Sequence, residues 1–188
     1  VLWRKELPVA VEQTITMKSH LSTQSIPYTG QELRSHWAFE TFGILGDVIV
    51  SFAGPCEVAL QHMVDLVDVA ASESIRARLM QHFLVEFFDT DLDRAVLRQR
   101  LLVALAGEVL QSHFQVGDLQ RKGDDLFVQG RKLSVSIATA SAVSTLIHLG
   151  INVDPTGAPV AAIGLAELGV DPSQFAQELM AAYVAELD

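Results

Sequence analysis

The stretch Gly123-Asp124-Asp125-Leu126-Phe127-Val128-Gln129-Gly130-Arg131-Lys132-Leu133-Ser134-Val135-Ser136-Ile137-Ala138-Thr139-Ala140 reads as a β-hairpin. Leu126 to Val128 is a short β-prone run. Leu133 to Thr139 is a second, with apolar residues alternating at Leu133, Val135 and Ile137. Gln129-Gly130 lies between them, and glycine there supplies the positive φ of a two-residue turn. With Val128 and Arg131 flanking the turn, Phe127 faces Lys132, Leu126 faces Leu133 and Asp125 faces Ser134. Alternation then predicts a core face of Leu126, Val128, Leu133, Val135 and Ile137. The opposite face carries Asp125, Phe127, Lys132, Ser134 and Ser136. That polar face is either a solvated sheet surface or the floor of a site with a lysine near a carboxylate.

Working outward, the 188 residues fit one domain, taken as residues 1–188, with 49% hydrophobic residues to build its core. No apolar run reaches the roughly 18 residues of a membrane-spanning helix, and Val1 to Val9 lacks the apolar stretch of a secretion signal. The cytoplasm is the expected location, with no membrane partner. The formal charge of −10 opposes binding to a nucleic-acid backbone and leaves a small anionic ligand open. The single cysteine, Cys56, rules out an internal disulfide and a cysteine metal cage.

Along the chain, Val9 to Met17 suggests strand pieces, and Gln31 to Phe42 a short helix closed by Gly43. Ile44 to Phe52 reads as a central strand broken by Gly54-Pro55. Residues 57–69 read as helix. Ser72 is placed to cap a helix running to Asp89, with Ile75, Leu79, Phe83, Leu84, Phe87 and Phe88 at helical spacing. Asp91 caps another, with Leu97, Leu101, Leu105 and Val109 as its apolar positions. A run from Val143 to Val153 and a last helix after Asp171-Pro172, striped by Phe175, Leu179, Met180, Tyr183 and Leu187, complete the chain. Regular βαβ alternation is missing, so the order favours α+β: a mixed, mainly antiparallel sheet with helices packed against it.

Several residue sets have the chemistry of a site. Cys56, just past a strand, is a nucleophile if its thiolate is stabilised and a small buried hydrophobe otherwise. Arg34 and His36 suit an anion or simply end a helix. His62 and Asp65 share a helical face with Asp68 further round, and with Asp47 or Glu57 the carboxylates would hold a hard cation; a solvated acidic face is the alternative. His82, Glu86 and Asp89 read as the polar side of the amphipathic helix. The phosphate-gripping, dinucleotide-binding and nucleophile-elbow glycine motifs do not occur.

Asp124 to Ser134 resembles the segment of biotin and lipoate protein ligases that runs Asn-Asp-Leu/Ile, a hydrophobic pair, any residue, Gly-Arg/Lys-Lys-Leu/Ile-Ala/Ser-Gly. His148-Leu149-Gly150-Ile151-Asn152-Val153 is similar to the Gly-x-Gly-Ile-Asn-Val strand of biotin ligases, and Gly54 to Val58 more weakly to the His-Gly-Pro-Gly-Gln-Leu loop of octanoyl transferases. The chain as a whole resembles a domain-of-unknown-function family of that superfamily, through Tyr28 to Arg34 and Met63 to Leu66. The resemblance implies the class II synthetase and biotin ligase fold. It also implies that Lys132 stabilises a carboxylate, acyl-phosphate or thioester oxygen, with Asp125, Ser134, Gly130, Arg34, His36, Asp47 and Cys56 as candidates around the substrate.

The chain departs from the pattern at three places. The Arg- and Gly-rich ATP loops of the ligases are absent; the stretch in that place, Phe52 to Glu57, has one glycine and no arginine. The glycine after Leu-Ala/Ser is Val135, and the asparagine before the aspartate is Asp124. Three readings follow. The first is an acyl or carboxylate transfer enzyme using ATP with an adenylate, or an acyl carrier thioester, with a small molecule or an acyl carrier protein as partner. The second is a non-catalytic nucleotide- or acyl-cofactor-binding protein on the same fold. The third is a metal-dependent enzyme using Asp47, Glu57, Asp65 and Asp68. A homodimer would cover an open sheet edge.

Overall fold

The computed structural model describes residues 17–59 and 75–187. In chain order the elements are β1 (Lys18–Leu21), α1 (Trp37–Phe42), β2 (Val48–Val58), β3 (Ile75–Phe87), α2 (Leu92–Ser112), β4 (Leu119–Lys122), β5 (Asp125–Val128), β6 (Arg131–Lys132), β7 (Ser134–Ala140), β8 (Thr145–Asp154) and α3 (Pro172–Leu187). A five-stranded sheet runs β1-β2-β3-β8-β7, and a three-stranded ribbon runs β4-β5-β6. Among these strands β1–β2 pair in parallel and the others antiparallel, with single parallel bridges at Tyr28–Cys56 and Lys132–Ala162. The mixed, mainly antiparallel α+β arrangement is therefore the one expected.

Strand alternation sorts the large sheet into two faces. Ile49, Phe83, Val85, Phe87, Ile147, Leu149 and Ile151 point toward α2 and α3, where they meet Leu102, Leu110, Phe175 and Leu179. Val48, Val50, Phe52, Cys56, Met80 and Leu84 point the other way, under Tyr28, Trp37 and Ala38 from the 26–44 segment. Two caps start the long helices as the sequence implies. Asp91 Oδ1 accepts the Arg94 N–H at 3.0 Å, and Asp171 Oδ1 accepts the Gln174 N–H at 2.7 Å. Among the described residues no helix is long and apolar enough to cross a membrane.

The largest correction is β3, read from the sequence as a helix. Leu79, Phe83 and Phe87 recur every four residues, and four is an even number, so they also share one face of a strand, while Ile75, beyond the register shift, packs on the other. β3 lies between β2 and β8 and is buried on both faces, which fills the intervening positions with apolar residues as well. A register shift at Leu79/Met80 further blurs the period of two.

β2 likewise does not stop at Gly54-Pro55. It continues through Cys56 to Val58, absorbing the irregularity as a register shift between Gly54 and Cys56. Glu57 and Val58 are thus strand, and the rest of the helix expected there, with Ser72, falls in 60–74, outside the described residues. The strand pieces before Met17 also lie outside them. α1 is shorter than expected, beginning at Trp37 after a left-handed His36 (φ 66°). On α2 the expected stripe holds at Leu105 and Val109, which are buried, and at Leu101, which packs against the core, but fails at Leu97, which is 70% exposed; Ala95, Leu102, Val103, Ala106 and Leu110 widen the contact with the sheet.

The hairpin forms in the expected register, with Phe127 opposite Lys132 and Val128 opposite Arg131. Gln129 (φ 52°) and Gly130 (φ 74°) are both left-handed, the signature of a type I′ turn. Glutamine has no preference for that region and asparagine does. Gln129→Asn is expected to raise stability by about 0.5–1 kcal/mol, read from the urea midpoint. The second strand, however, is split. After Leu133 the chain leaves the ribbon and joins β8 as β7. The face assignment changes with it. Ser134 and Ser136 pair with Ile151 and Leu149 on the helix side, while Val135 and Ile137 pair with Gly150 and His148 on the face toward Tyr28. Sequence alternation assumes one continuous strand, and the crossover between two sheets breaks it.

Candidate functional site

Lys132 is held by its backbone on two sides. Its N–H donates to Ala161 O (3.0 Å), and its carbonyl accepts from Ile163 N–H (3.0 Å) and from the Asn152 side-chain amide (3.2 Å). Its ammonium lies 2.8 Å from Asp125 Oδ2, and the two side chains are 30% and 27% exposed. A cation at the edge of a sheet face, with its backbone pinned and its carboxylate partner beside it, is placed to meet an incoming oxygen. Arg131 next to it is committed to Glu167 by two hydrogen bonds, of 3.0 and 2.7 Å. Asp124 takes the Gln99 amide at 3.2 Å.

The other candidates do not gather around Lys132. Ser134 is fully buried, and its hydroxyl accepts the Leu126 N–H at 2.8 Å; it ties the ribbon to the large sheet rather than lining the Lys132 face. Gly130 forms the turn. Arg34 pairs with Glu40 at the surface. The His36 N–H donates to Glu86 Oε1 at 2.8 Å, its ring stacks on Phe88, and Asp47 Oδ1 accepts the Phe88 N–H at 2.8 Å. Glu86 pairs across from Leu146, and Lys132 adjoins Asn152, six residues further along β8. At ~3.3 Å per residue the two groups are about 20 Å apart, at opposite ends of the sheet.

Cys56 stands at the Lys132 end but across β3 and β8, on the order of 15 Å away. It is buried, and burial with the nearby Glu32 carboxylate pushes its thiol up to about 12. That environment opposes the thiolate a nucleophile requires, so Cys56 is a small buried hydrophobe. Asp47 and Glu57 flank β2 at opposite ends, about 30 Å apart, and cannot share a cation. Glu57 is paired with Arg76 at 3.1 Å. His62, Asp65 and Asp68 lie outside the described residues. Among the described residues no cluster of three or more potential metal ligands forms.

A polar group that sequence reasoning misses lies beneath Tyr28. His82 Nδ1 and His148 Nε2 are 3.1 Å apart, and His82 Nε2 is 3.2 Å from Gly54 O. Tyr28 stacks on His148, with centroids 3.9 Å apart and planes at 13°. Both histidines are buried. Burial pushes His82 down to about 3, against a smaller upward pull from the Gly54 carbonyl. Burial and then the neighbouring His82 hold His148 well below the ordinary imidazole range. The expected pairing of His82 with Glu86 on one helical face becomes a shared strand face, because a spacing of four preserves strand parity too.

Both rings are neutral in the fold and titrate near 6.5 when unfolded. Below that pH the unfolded chain binds more protons, so stability is complete above about pH 6.5 and is lost as pH falls toward 3. The loss is about 2 kcal/mol per ring by pH 5. Urea unfolding between pH 7 and pH 5 should show this decline before most carboxylates titrate. A flat profile would remove the neutral pair.

The matching family model, described as "Domain of unknown function (DUF366)", spans residues 17–188. The chain belongs to the DUF366 family. An uncharacterised protein of Methanocaldococcus jannaschii is 44% identical over 170 residues, covering 87% of this chain and 76% of its own. A protein of unknown function from Pyrococcus horikoshi has a solved structure that superposes with a TM-score of 0.87 at 43% identity, covering 91% of this DUF366 chain and 92% of that one.

Two ligases show the fold alone. The biotin protein ligase of Aquifex aeolicus, solved as a point mutant in complex with biotin, gives a TM-score of 0.56 at 13% identity over 90% of this chain and 69% of that chain. The lipoate-bound LipL1 of P. falciparum gives 0.53 at 11% identity, over 92% and 63%. The DUF366 chain thus has the biotin/lipoate ligase fold, as its hairpin and the His148 to Val153 strand imply.

Proposed function

We propose that this DUF366 chain binds a small molecule bearing a carboxylate or acyl group at the Lys132–Asp125 pair of the β5–β6 ribbon and transfers that group. The observation that carries the reading is the Lys132–Asp125 pair, 2.8 Å apart, partly exposed and pinned through the Lys132 backbone to Ala161 and Ile163. A fixed ammonium aimed at an oxygen lowers the energy of the negative charge that grows there as the group is attacked, most of all where water is thin. Asp125 keeps the ammonium oriented. The activated donor would be an adenylate made from ATP or an acyl carrier thioester, the carrier being then the protein partner.

One observation favours a second reading, a binding protein that senses such a molecule without turning it over. Phe52 to Glu57, in the place of the ligases' ATP loop, is strand. Gly54 and Cys56 pair with β3, and on the other side Ala53 O and Pro55 O accept the Ile26 and Tyr28 N–H groups. Those backbone groups are already occupied and have no free loop to wrap a triphosphate.

Native mass spectrometry of the purified protein, followed by extraction and identification of retained small molecules, tests the shared claim. A retained acid or acyl adenylate is the expected result, lost in Lys132→Ala. An ATP–pyrophosphate exchange signal would select the enzyme over the sensor. Retention of a ligand unaffected by Lys132→Ala would overturn both readings.

A further inference from the structure

Strand alternation sets a carboxylate in an apolar row. Glu86 shares its face of β3 with Leu84 and His82, beneath the 26–44 segment. Its neighbours directly across the sheet are Val48 on β2 and Leu146 on β8. Leu33, Trp37 and Ala38 pass over this row and leave a cleft of about 230 Å³, counted out to its open mouth. The enclosed part has room for one water-sized group.

Glu86 is 5% exposed, and its carboxylate is half satisfied. Oε1 accepts the His36 N–H and the Ser144 hydroxyl, each at 2.8 Å. Both donors are neutral. Among the described residues Oε2 takes no hydrogen bond, and no lysine or arginine nitrogen comes within 4.0 Å of the carboxylate. Nor is Oε2 sealed: the side-chain nitrogen or oxygen both enclosed and unbonded among the described residues is Arg100 Nε. Oε2 therefore opens on the cleft that Glu86 lines. A carboxylate taken this far out of water is ordinarily paired with a positive group, because neutral donors alone do not offset the lost hydration.

The walls decide the kind of cation. Arg34 lines the cleft but is bonded to Glu40, and Glu32 lines it too, so Arg34 brings no net positive charge there. Both Glu32 oxygens are held by Thr29. A hard metal ion takes about six or more oxygens, and the lining side chains leave it Glu86 Oε2 alone. An ammonium group needs one strong acceptor, keeps water on its other N–H bonds, and can trail an alkyl stem along apolar walls.

We infer that this cleft binds an ammonium group on Glu86 Oε2, as the free ion or as the head of a small primary amine. The site stands about 20 Å from Lys132, at the other end of the sheet, and does not rest on the Lys132 reading.

The test titrates the full chain with butylamine hydrochloride, butanol and ammonium chloride at constant ionic strength. It follows the 13C resonance of the Glu86 carboxyl and the His36 amide. A hydrogen bond to a charged group is the difference between the two four-carbon probes, so butylammonium is expected to bind at least about tenfold more tightly than butanol and to move both resonances. Glu86→Gln keeps an acceptor for His36 and Ser144, removes the charge, and should erase that preference. Ammonium chloride tells the sources apart. Binding as tight as that of butylammonium assigns the site to the free ion, and weaker binding assigns it to an amine with its stem; either result supports an ammonium site. Equal binding of butanol and butylammonium, or a Glu86 carboxyl resonance that neither cation moves, overturns it and leaves water as the occupant. The wild-type comparison decides the matter even if Glu86→Gln fails to fold.

Discussion

Lys132→Ala is expected to weaken binding of a carboxylate ligand by about 10- to 100-fold and leave the fold standing. A hydrogen bond to a charged group contributes about 1.5–3 kcal/mol, and each 1.4 kcal/mol is a factor of ten. If the chain also transfers the bound group, the loss in turnover should reach about 100- to 1,000-fold, because the ammonium acts most strongly on the charge that develops in the transition state. Stability should change little. The Lys132–Asp125 pair is about 30% exposed on both sides, and pairs that wet contribute about 1 kcal/mol or less. The backbone bonds that place residue 132 do not depend on its side chain. Isothermal titration with any acid recovered from the purified protein, alongside a thermal melt, separates the two effects. A variant that melts normally and binds normally would end the case for Lys132.

Gly54→Ala is expected to be strongly destabilising, costing about 3 kcal/mol or more. A Cβ on Gly54 would stand 1.8 Å from Ile26 O and 2.6 Å from Ile26 C. Those are backbone atoms, held by the Ile26 N–H bond to Ala53 O (3.0 Å) and the Tyr28 N–H bond to Pro55 O (2.9 Å), so they cannot rotate aside as a side chain would. Relief requires the 26–28 segment to lift off β2. That movement breaks both bonds, uncovers Cys56 and draws Tyr28 away from His148. Overpacking of a tight core typically costs about 1–3 kcal/mol, and the lost hydrogen bonds add to it. The measurements are the urea midpoint and the histidine 15N spectrum. A Gly54→Ala protein of unchanged stability would mean the 26–28 segment is not seated as described.

The histidine pair and the cover of this face are thus joined. The Gly54 carbonyl is the end of the histidine chain, and the Gly54 α-carbon faces the Ile26 backbone of the segment that bears Tyr28. A disturbance at this one residue changes the hydrogen bonding of His82 and His148 and the cover over Cys56 together. The acid sensitivity of the neutral pair has the same origin, since both rings are dry only while Tyr28 stays in place.

The sequence by itself determined the parts of this protein that rest on local chemistry. The Gln129-Gly130 turn set the hairpin register, because a two-residue loop leaves little choice of which residues face each other. Asp91 and Asp171 set helix starts, because each side chain satisfies a donor that the helix cannot. The hairpin and the His148 to Val153 strand were enough to name the fold. Only the tertiary structure decided the rest. Whether Ile75 to Phe87 is helix or strand depends on what covers its second face, and a four-residue recurrence fits both. Whether Ser134 lines a site depends on a crossover between two sheets that no alternation reveals. Arg34, His36, Asp47 and Cys56 have the chemistry of partners for Lys132, but strand direction puts them at the far end or on the far side of the sheet. His82 and His148 lie 66 residues apart in sequence, and their contact exists because β3 and β8 are neighbours, a long-range pairing that buries two imidazoles where each can satisfy the other.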